Sequence, residues 1–163
     1  MTTSPSPDTD WKRSLAAFAG RRLAVVGIGR RDAGDDGLGP LVIALLAGRA
    51  SLSLFDAQTA PENFVAPIAR ANPDLILLVD AVAFAAPPGH IRLFEPSALD
   101  ETDFTTHAMS PRLLLDFLAR RTGARTLVLA VQPVSSALGS PMTPPVRAAA
   151  HAIADALASL FPA

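Results

Sequence analysis

Two adjacent carboxylates, Asp35 and Asp36, occupy the position in this sequence that most clearly favours chemistry. They follow the apolar stretch 23–27 and a Gly-Ile-Gly turn, and they precede an apolar stretch typical of a helix. This pattern predicts that both acids lie at the carboxyl end of a parallel strand, where open α/β sheets build their sites. One aspartate could serve as the N-cap of the helix, and the other would then face the crevice at the sheet edge.

Further polar residues follow the other predicted strands. Asp56 ends the second strand, Asp80 ends the third, and Gln132 follows the last, while His107 lies in a polar segment just before a predicted helix. The carboxyl ends of parallel strands meet at one edge of a sheet, so these side chains can converge. Asp36, Asp80 and His107 would offer two oxygens and one nitrogen, a set that suits a borderline divalent metal and leaves coordination positions open.

These residues also have plainer interpretations. An acid after a strand is often a cap or turn residue, and a single histidine is more often structural than a ligand. No two of the candidate ligands share a local motif such as HExxH, so their spacing alone does not specify a metal site.

Strand and helix patterns alternate along the whole chain, which predicts an α/β fold with helices on both faces of the sheet. The fourth strand could be antiparallel. Residues 1–20 are expected to form a flexible N-terminal extension with a short helix, and 21–163 a single domain. The predicted strands are 23–27, 51–56, 74–80, 90–94 and 125–131, and the predicted helices are 11–18, 37–48, 61–71, 110–123 and 144–160.

The first strand, turn and helix also resemble a dinucleotide-binding unit. Gly27 and Gly29 match its fingerprint, but Asp32 stands at the third glycine position. The loop ends in acids where a pyrophosphate would need free backbone N–H groups. A nucleotide-binding enzyme is therefore the least favoured of the alternatives.

Composition excludes several other classes of protein. The 163 residues are 50% hydrophobic, with 14 Lys and Arg against 15 Asp and Glu, so no basic surface for nucleic acid is indicated. No apolar run is long enough to cross a bilayer. Cysteine is absent, which excludes disulfides, thiolate catalysis and cysteine zinc sites. The polar N-terminus lacks a signal-peptide core, so a cytoplasmic protein is expected.

Five segments together resemble the hydrogenase maturation proteases, most of all the subgroup that processes the large subunit of hydrogenase 3, the formate-hydrogenlyase type of [NiFe] hydrogenase. They occur in the expected order and span nearly the whole chain after residue 20. The segments are GIGRRDAGDDGLGP (27–40), TAPEN (59–63), LLVDA (77–81), TTHAMSP (105–111) and VQPVSSALGSPMTPPV (131–146).

The resemblance implies a three-layer αβα sandwich with a twisted, mostly parallel sheet of about five strands. It also implies a hydrolase, an aspartic-type endopeptidase that removes the C-terminal extension of a [NiFe] hydrogenase large-subunit precursor after nickel insertion. The nickel would be carried by the substrate, and no tightly bound cofactor of the enzyme itself is expected. A nickel-sensing binding module without peptidase activity is the main alternative.

The family's functional positions can be transferred residue by residue. Its catalytic and metal-contacting positions fall on Asp36, Asp80 and His107, the same residues that the sheet-edge argument selects. The positions expected to contact the substrate are Asp56, Gly37 and Gln132.

Two loops depart from the family pattern. Arg30 stands where the family usually has Asn after Gly-x-Gly and is followed by Arg31, and Ala57 and Gln58 stand where the family usually has two glycines after the strand-two acid. Both loops are expected to contact the substrate. An alanine at position 57 also requires a backbone without positive φ, because only glycine adopts that conformation at little cost.

Overall fold

The computed structural model describes residues 7–99 and 110–163. Its centre is a five-stranded sheet with the strand order β2-β1-β3-β5-β4. The strands are β1 (Leu23–Ile28), β2 (Ser53–Gln58), β3 (Leu75–Ala81), β4 (Ile91–Phe94) and β5 (Arg125–Val131). The helices are α1 (Pro7–Ala16), α2 (Leu38–Leu46), α3 (Val65–Arg70), α4 (Pro111–Thr122) and α5 (Pro144–Leu160), with 3₁₀ turns at Gly34–Gly37, Pro61–Phe64 and Pro96–Ala98.

Strand β3 is the central strand of the sheet because it is apolar on both faces. All seven of its residues are buried, as expected for a parallel strand covered by helices on both sides. It pairs in parallel with β1 and β5, and β1 pairs in parallel with β2. Among the five strands of the described ranges, β4 alone runs antiparallel, along the outer edge of β5. The fourth strand, whose orientation the sequence does not decide, is therefore antiparallel.

Two hydrophobic clusters, one on each face of the sheet, confirm the three-layer αβα sandwich. We call the first the α2/α5 cluster, since it also contains residues of those helices and of α1, and the second the α3/α4 cluster. Alternate residues of β3 divide between them: Leu77 belongs to the first cluster and Leu78 to the second. No helix in the described ranges is long and apolar enough to cross a membrane.

Helix α1 is part of the core. Its pattern predicts a helix over 11–18 within a flexible extension, whereas the helix spans Pro7–Ala16. Trp11 and Leu15 are four residues apart, share one face of the helix and are both buried against the sheet. Residues 7–16 therefore pack as an element of the domain, because this pair of large side chains anchors them.

Helix α2 approaches β1 closely enough to exclude side chains. A Cβ atom on Gly39 would lie 2.3 Å from the carbonyl oxygen of Ile28 and 2.7 Å from that of Val79. One on Gly27 would lie 2.6 Å from the carbonyl oxygen of Gly39. The close helix–strand packing that a dinucleotide fold obtains from a third glycine is achieved here by Gly39. The contact fixes the preceding 3₁₀ turn, with Asp35 and Asp36, against the sheet.

Candidate functional site

The strand register brings the predicted acids to one edge of the sheet. Gly27 on β1 is aligned with Asp56 on β2 and with Val79 on β3, and Asp80 follows Val79. Adjacent strands lie about 4.8 Å apart, so Asp56 and Val79 are separated by about 10 Å across β1. The 3₁₀ turn that carries Asp36 contacts β3. Asp56, Asp80 and the turn that carries Asp36 therefore lie at the carboxyl edge of the sheet, and the convergence of their side chains on one site stays a prediction.

Asp80 and Asp56 point to opposite faces at this edge. Asp80 is fully buried and aligned with Ala130, a member of the α3/α4 cluster. Asp56 is aligned with Val79, which belongs to the α2/α5 cluster. Aligned residues of neighbouring parallel strands project to the same face, since side chains alternate along each strand. Asp80 thus lies on the face covered by α4, and Asp56 lies on the face covered by α2.

Asp36 has one satisfied oxygen and one that is not satisfied. Its side chain is nearly buried, and Oδ2 accepts a hydrogen bond of 2.7 Å from the backbone N–H of Arg30. Oδ1 is also shielded from solvent, but no residue in the described ranges donates a hydrogen bond to it. Leaving a buried acceptor unpaired costs about 1–3 kcal/mol. A metal ion or another cation brought to this oxygen would offset that cost.

Asp35 has a different role from either of the two expected. Neither carboxylate caps a helix, since the 3₁₀ turn and α2 both lack a side-chain cap. The N-cap interpretation is therefore wrong. Asp35 is fully buried and accepts hydrogen bonds from the backbone N–H groups of Thr143 at 2.7 Å, Val134 at 2.8 Å and Ser135 at 3.2 Å, and from the Thr143 hydroxyl. It ties the segment after β5 to the turn that carries Asp36.

The electrostatics of Asp35 agree with this anchoring role. Burial by itself would raise the pKa of the carboxyl group. The hydrogen bonds from Thr143, Val134 and Ser135 stabilise the ionised form and outweigh burial, so the pKa lies below its ordinary value. Asp35 is therefore a charged acceptor whose oxygens are already engaged within the fold.

Asp56 forms an ion pair with Arg31, the residue that follows the departure from the family pattern at Arg30. Arg30 is paired with Asp32 in the same loop, with 3.1 Å between the guanidinium and carboxylate atoms. An open cavity of about 630 Å³ lies here, lined by Arg30, Arg31, Asp32, Gln58 and Thr59. The cavity is polar and contains charges of both signs, and the sequence alone did not show that Arg31 would reach Asp56.

The two residues after Asp56 differ in backbone conformation. Ala57 has no positive φ, as required for an alanine there, whereas Gln58 has φ 50°. The β1–β2 register shifts here, because Gly27 is aligned with Asp56 and the next residue, Ile28, with Gln58. The position of the family's second glycine thus keeps a left-handed backbone, although a glutamine occupies it.

The remaining predicted contact residues are engaged within the protein. The Gln132 side-chain oxygen accepts hydrogen bonds from the backbone N–H groups of Phe84 at 2.7 Å and Ala86 at 3.3 Å. Gly37 is buried, and a Cβ on it would lie 3.3 Å from the carbonyl oxygen of Arg30. Gln132 thus shapes the loop after β3 and Gly37 allows a tight turn. Their contact with substrate stays a prediction.

The third predicted ligand, His107, lies outside the described residues. The described chain continues at Ser110, which caps α4 by accepting a hydrogen bond from the N–H of Leu113. Over the ranges that the structure describes, no group of three His, Cys, Asp or Glu side chains forms a metal site. The role of His107 as a third ligand beside Asp36 and Asp80 therefore stays a prediction.

Sequence reasoning did not identify Thr143 and Arg31 as part of this region. A signal for Thr143 exists, because a Thr before Pro144 is typical of a helix start. Its hydroxyl nevertheless binds Asp35, and no side-chain cap forms at the start of α5. For Arg31 the only signal is its place directly after Arg30, where the chain departs from the family pattern.

Comparison with known proteins identifies the family. A family model described as hydrogenase maturation protease matches residues 43–160. The hydrogenase 3 maturation protease of Escherichia coli K12 is 33% identical over 129 residues, which cover 77% of this chain and 82% of that protein. This chain belongs to the hydrogenase maturation proteases.

Solved structures of maturation proteases share the fold. The [NiFe] hydrogenase maturation protease HycI from Thermococcus kodakarensis KOD1 superposes with a TM-score of 0.83, 26% identity and coverage of 90% of this chain and 97% of that one. The solution structure of the endopeptidase HycI from E. coli gives 0.77 at 30% identity, covering 85% and 90%. The protein is thus a maturation endopeptidase, and the nucleotide-binding alternative finds no support.

Proposed function

We propose that this maturation protease removes the C-terminal extension of a [NiFe] hydrogenase large-subunit precursor after nickel has been inserted. The observation that carries the proposal is the buried Oδ1 of Asp36, to which no described residue donates, at the same sheet edge as buried Asp80. Carboxylates held at a strand end in this way are suited to a cation that arrives from outside.

In the proposed reaction the nickel is part of the substrate. The precursor would supply part of the nickel's coordination shell, and Asp36, Asp80 and His107 would complete it. The enzyme would therefore bind only a metal-loaded precursor. A metal ion in this position can polarise a carbonyl group and lower the pKa of a bound water molecule. By binding the metal, these three residues would hold the scissile region of the precursor beside it. Two of the three are aspartates, and in this sense the enzyme would be an aspartic-type endopeptidase.

The proposal includes no tightly bound metal of the enzyme's own. Two carboxylates and one imidazole without cysteine form an incomplete and only modestly selective site. A protein that reads a metal bound elsewhere needs open positions, because the substrate's ligands must fit there. We place the reaction in the cytoplasm, as the polar N-terminal sequence predicts.

A parallel digestion of two precursor preparations tests the proposal. The enzyme is stripped with a chelator and incubated with nickel-loaded or nickel-free precursor, and the shortened large subunit is quantified on a gel. We expect cleavage of the nickel-loaded form alone, and added zinc should not rescue the nickel-free form. Equal cleavage of both would indicate a conventional hydrolase with its own catalytic group.

The same assay distinguishes the binding-module alternative. If the protein captures nickel-loaded precursor without shortening it over many hours, it acts as a nickel sensor and the proposed reaction is wrong. Mass spectrometry of the product separates cleavage at one C-terminal site from general proteolysis.

A further inference from the structure

We propose that Arg31 determines which side chain the enzyme accepts near the cleaved bond of its protein substrate. The inference rests on the proposed function and extends it from the metal to the cavity beside Asp56. The guanidinium of Arg31 favours a substrate side chain with an oxygen acceptor, either a carboxylate or an amide, and it excludes the cationic side chains of lysine and arginine.

Arg31 separates the Asp56 carboxylate from the open cavity of about 630 Å³. Arg31 lines that cavity, whereas Asp56 does not. The Arg31 side chain is 60% exposed and pairs with Oδ2 of Asp56, whose own side chain is only 22% exposed. A substrate residue that enters the cavity therefore meets the guanidinium, and the carboxylate lies behind it.

The ion pair leaves hydrogen-bonding capacity on both partners. A guanidinium carries five N–H donors in a planar fork that fits oxygen acceptors. Within the described ranges, the Arg31 side chain uses only Nη2, in its bond to Asp56. Oδ1 of Asp56 is shielded from solvent, and no described residue donates a hydrogen bond to it. Because a buried carboxylate needs a positive partner or donors, removal of Arg31 would turn the cavity into a site for a basic side chain.

Hydrogen bonds join this cavity to the candidate site. The backbone N–H of Arg30, which also lines the cavity, donates a 2.7 Å hydrogen bond to Oδ2 of Asp36. The backbone N–H of Gly29 donates one of 2.9 Å to the carbonyl of Gln58, another lining residue. An extended chain rises about 3.3 Å per residue, so a precursor whose nickel reaches Asp36 places residues near the cleaved bond within reach of the cavity.

The other charges at the cavity compensate each other. Arg30 pairs with Asp32, with 3.1 Å between the guanidinium and carboxylate atoms. Gln58 and Thr59, which complete the lining, are neutral. Arg31 therefore sets the charge that an incoming side chain meets.

The test exchanges charges on both sides of the proposed contact. Nickel-loaded precursors carry Asp, Gln or Lys at each position near the cleaved bond in turn, apart from the nickel ligands, and kcat/KM is measured for the full-length wild type, R31M and R31M/D56N. At one position the wild type should cleave the Asp and Gln forms about tenfold or more faster than the Lys form, because like charges repel at such a contact. R31M should reverse this order, and R31M/D56N should discriminate little.

Two further variants control for charge and for folding. R31K keeps the positive charge and should keep the wild-type order. Arg49 is another exposed arginine in an ion pair, with 2.7 Å between its guanidinium and Asp155, but it follows the C-terminal end of α2, whereas Asp36 precedes that helix. R49M should therefore keep both the order and the rates. If circular dichroism shows that R31M does not fold, the contrast between R31K and R31M/D56N decides the proposal.

The remaining outcomes are also decisive. Equal cleavage of the Asp, Gln and Lys forms at every position overturns the proposal, as does the same order in R31M as in the wild type, or a reversal in R49M. If the wild type binds nickel-loaded precursor without cleaving it, the proposed function fails, while Kd values of the same set, measured by interferometry, still decide the role of Arg31. If the wild type neither binds nor cleaves, both proposals fail.

Discussion

Asp35 and Asp36 are neighbours in the chain, and both are buried, yet they serve different parts of the molecule. Asp35 accepts hydrogen bonds from Thr143, Val134 and Ser135 in the segment between β5 and α5. Asp36 keeps one shielded oxygen to which no described residue donates. The comparison teaches that burial alone does not identify a reactive acid. The supply of donors separates the two acids, because the carboxylate of Asp35 is satisfied inside the fold, whereas Asp36 keeps an oxygen that, under the proposed function, binds the metal of the substrate.

The strongest way to break this comparison is to remove the Asp36 carboxylate. Asp36→Ala should reduce precursor cleavage about a thousandfold or more, equivalent to about 4 kcal/mol of transition-state stabilisation. The free energy of unfolding should hardly fall, because an oxygen that is costly to bury is lost together with one hydrogen bond. Cleavage rates and urea denaturation followed by circular dichroism measure the two effects. Cleavage at the wild-type rate would remove Asp36 from the site.

Asp80 extends the comparison to the two ends of β3. Asp80→Asn should lower cleavage about a hundredfold, or about 3 kcal/mol, with a nearly unchanged melting temperature, because the amide keeps the volume but loses the charge that attracts a cation. Asp74 precedes β3 at the opposite edge, where hydrogen bonds from Arg22 lower its pKa to about 2. Asp74→Asn is the control and should cleave normally. Loss of stability without loss of cleavage in Asp80→Asn would show a purely structural acid.

Asp35→Asn should show the reverse pattern, with stability as the main loss. An amide cannot accept from all the donors of the segment between β5 and α5, so the variant should be about 2–3 kcal/mol less stable near pH 7. Because the pKa of Asp35 is lowered on folding, its stabilisation is present above the unfolded pKa of about 3.9 and is lost as pH falls further. Urea titrations at several pH values should therefore show the two proteins converging below about pH 4. A gap that is independent of pH would contradict the anchoring role of the charge.

The smallest expected effect tests the strained loop after Asp56. Gln58 has φ 50°, a conformation that costs a non-glycine residue about 1 kcal/mol. Gln58→Gly should therefore stabilise the protein by about 0.5–1 kcal/mol, measured by chemical denaturation. Asn72, with φ 48°, is the matched control. Asn72→Gly should gain less, since asparagine tolerates this region better than most residues. Equal changes in both variants would show that Gln58 carries no special strain.

Local patterns were sufficient for most of the fold. The spans of β5 and α5 were predicted without error because turn residues bound both segments, Gly123 before the strand and Pro144 at the start of the helix. The same patterns missed the 3₁₀ turns before α2 and α3. Those turns arise where the chain is held against the sheet, and such contacts leave no periodic signal in the sequence.

The candidate site was predictable only in part, because its contacts are long-range. The acids at the strand ends follow from strand positions alone. Asp35 and Thr143, however, are 108 positions apart, and Arg31 and Asp56 are 25 apart. No local pattern pairs such residues. The different hydrogen bonding of Asp35 and Asp36 and the ion pair at Asp56 therefore became apparent only in the three-dimensional structure.

The antiparallel strand β4 also affects how copies of the protein behave at high concentration. An outer strand with free backbone groups invites pairing with a second copy and hence aggregation. β4 is only four residues long, and its second residue, Arg92, is exposed, with its guanidinium 5.0 Å from the ring centre of Phe84 and 5.9 Å from that of Phe94. A short edge that carries a fixed positive charge repels an identical edge. β4 thus disfavours the addition of a further strand at this edge of the sheet.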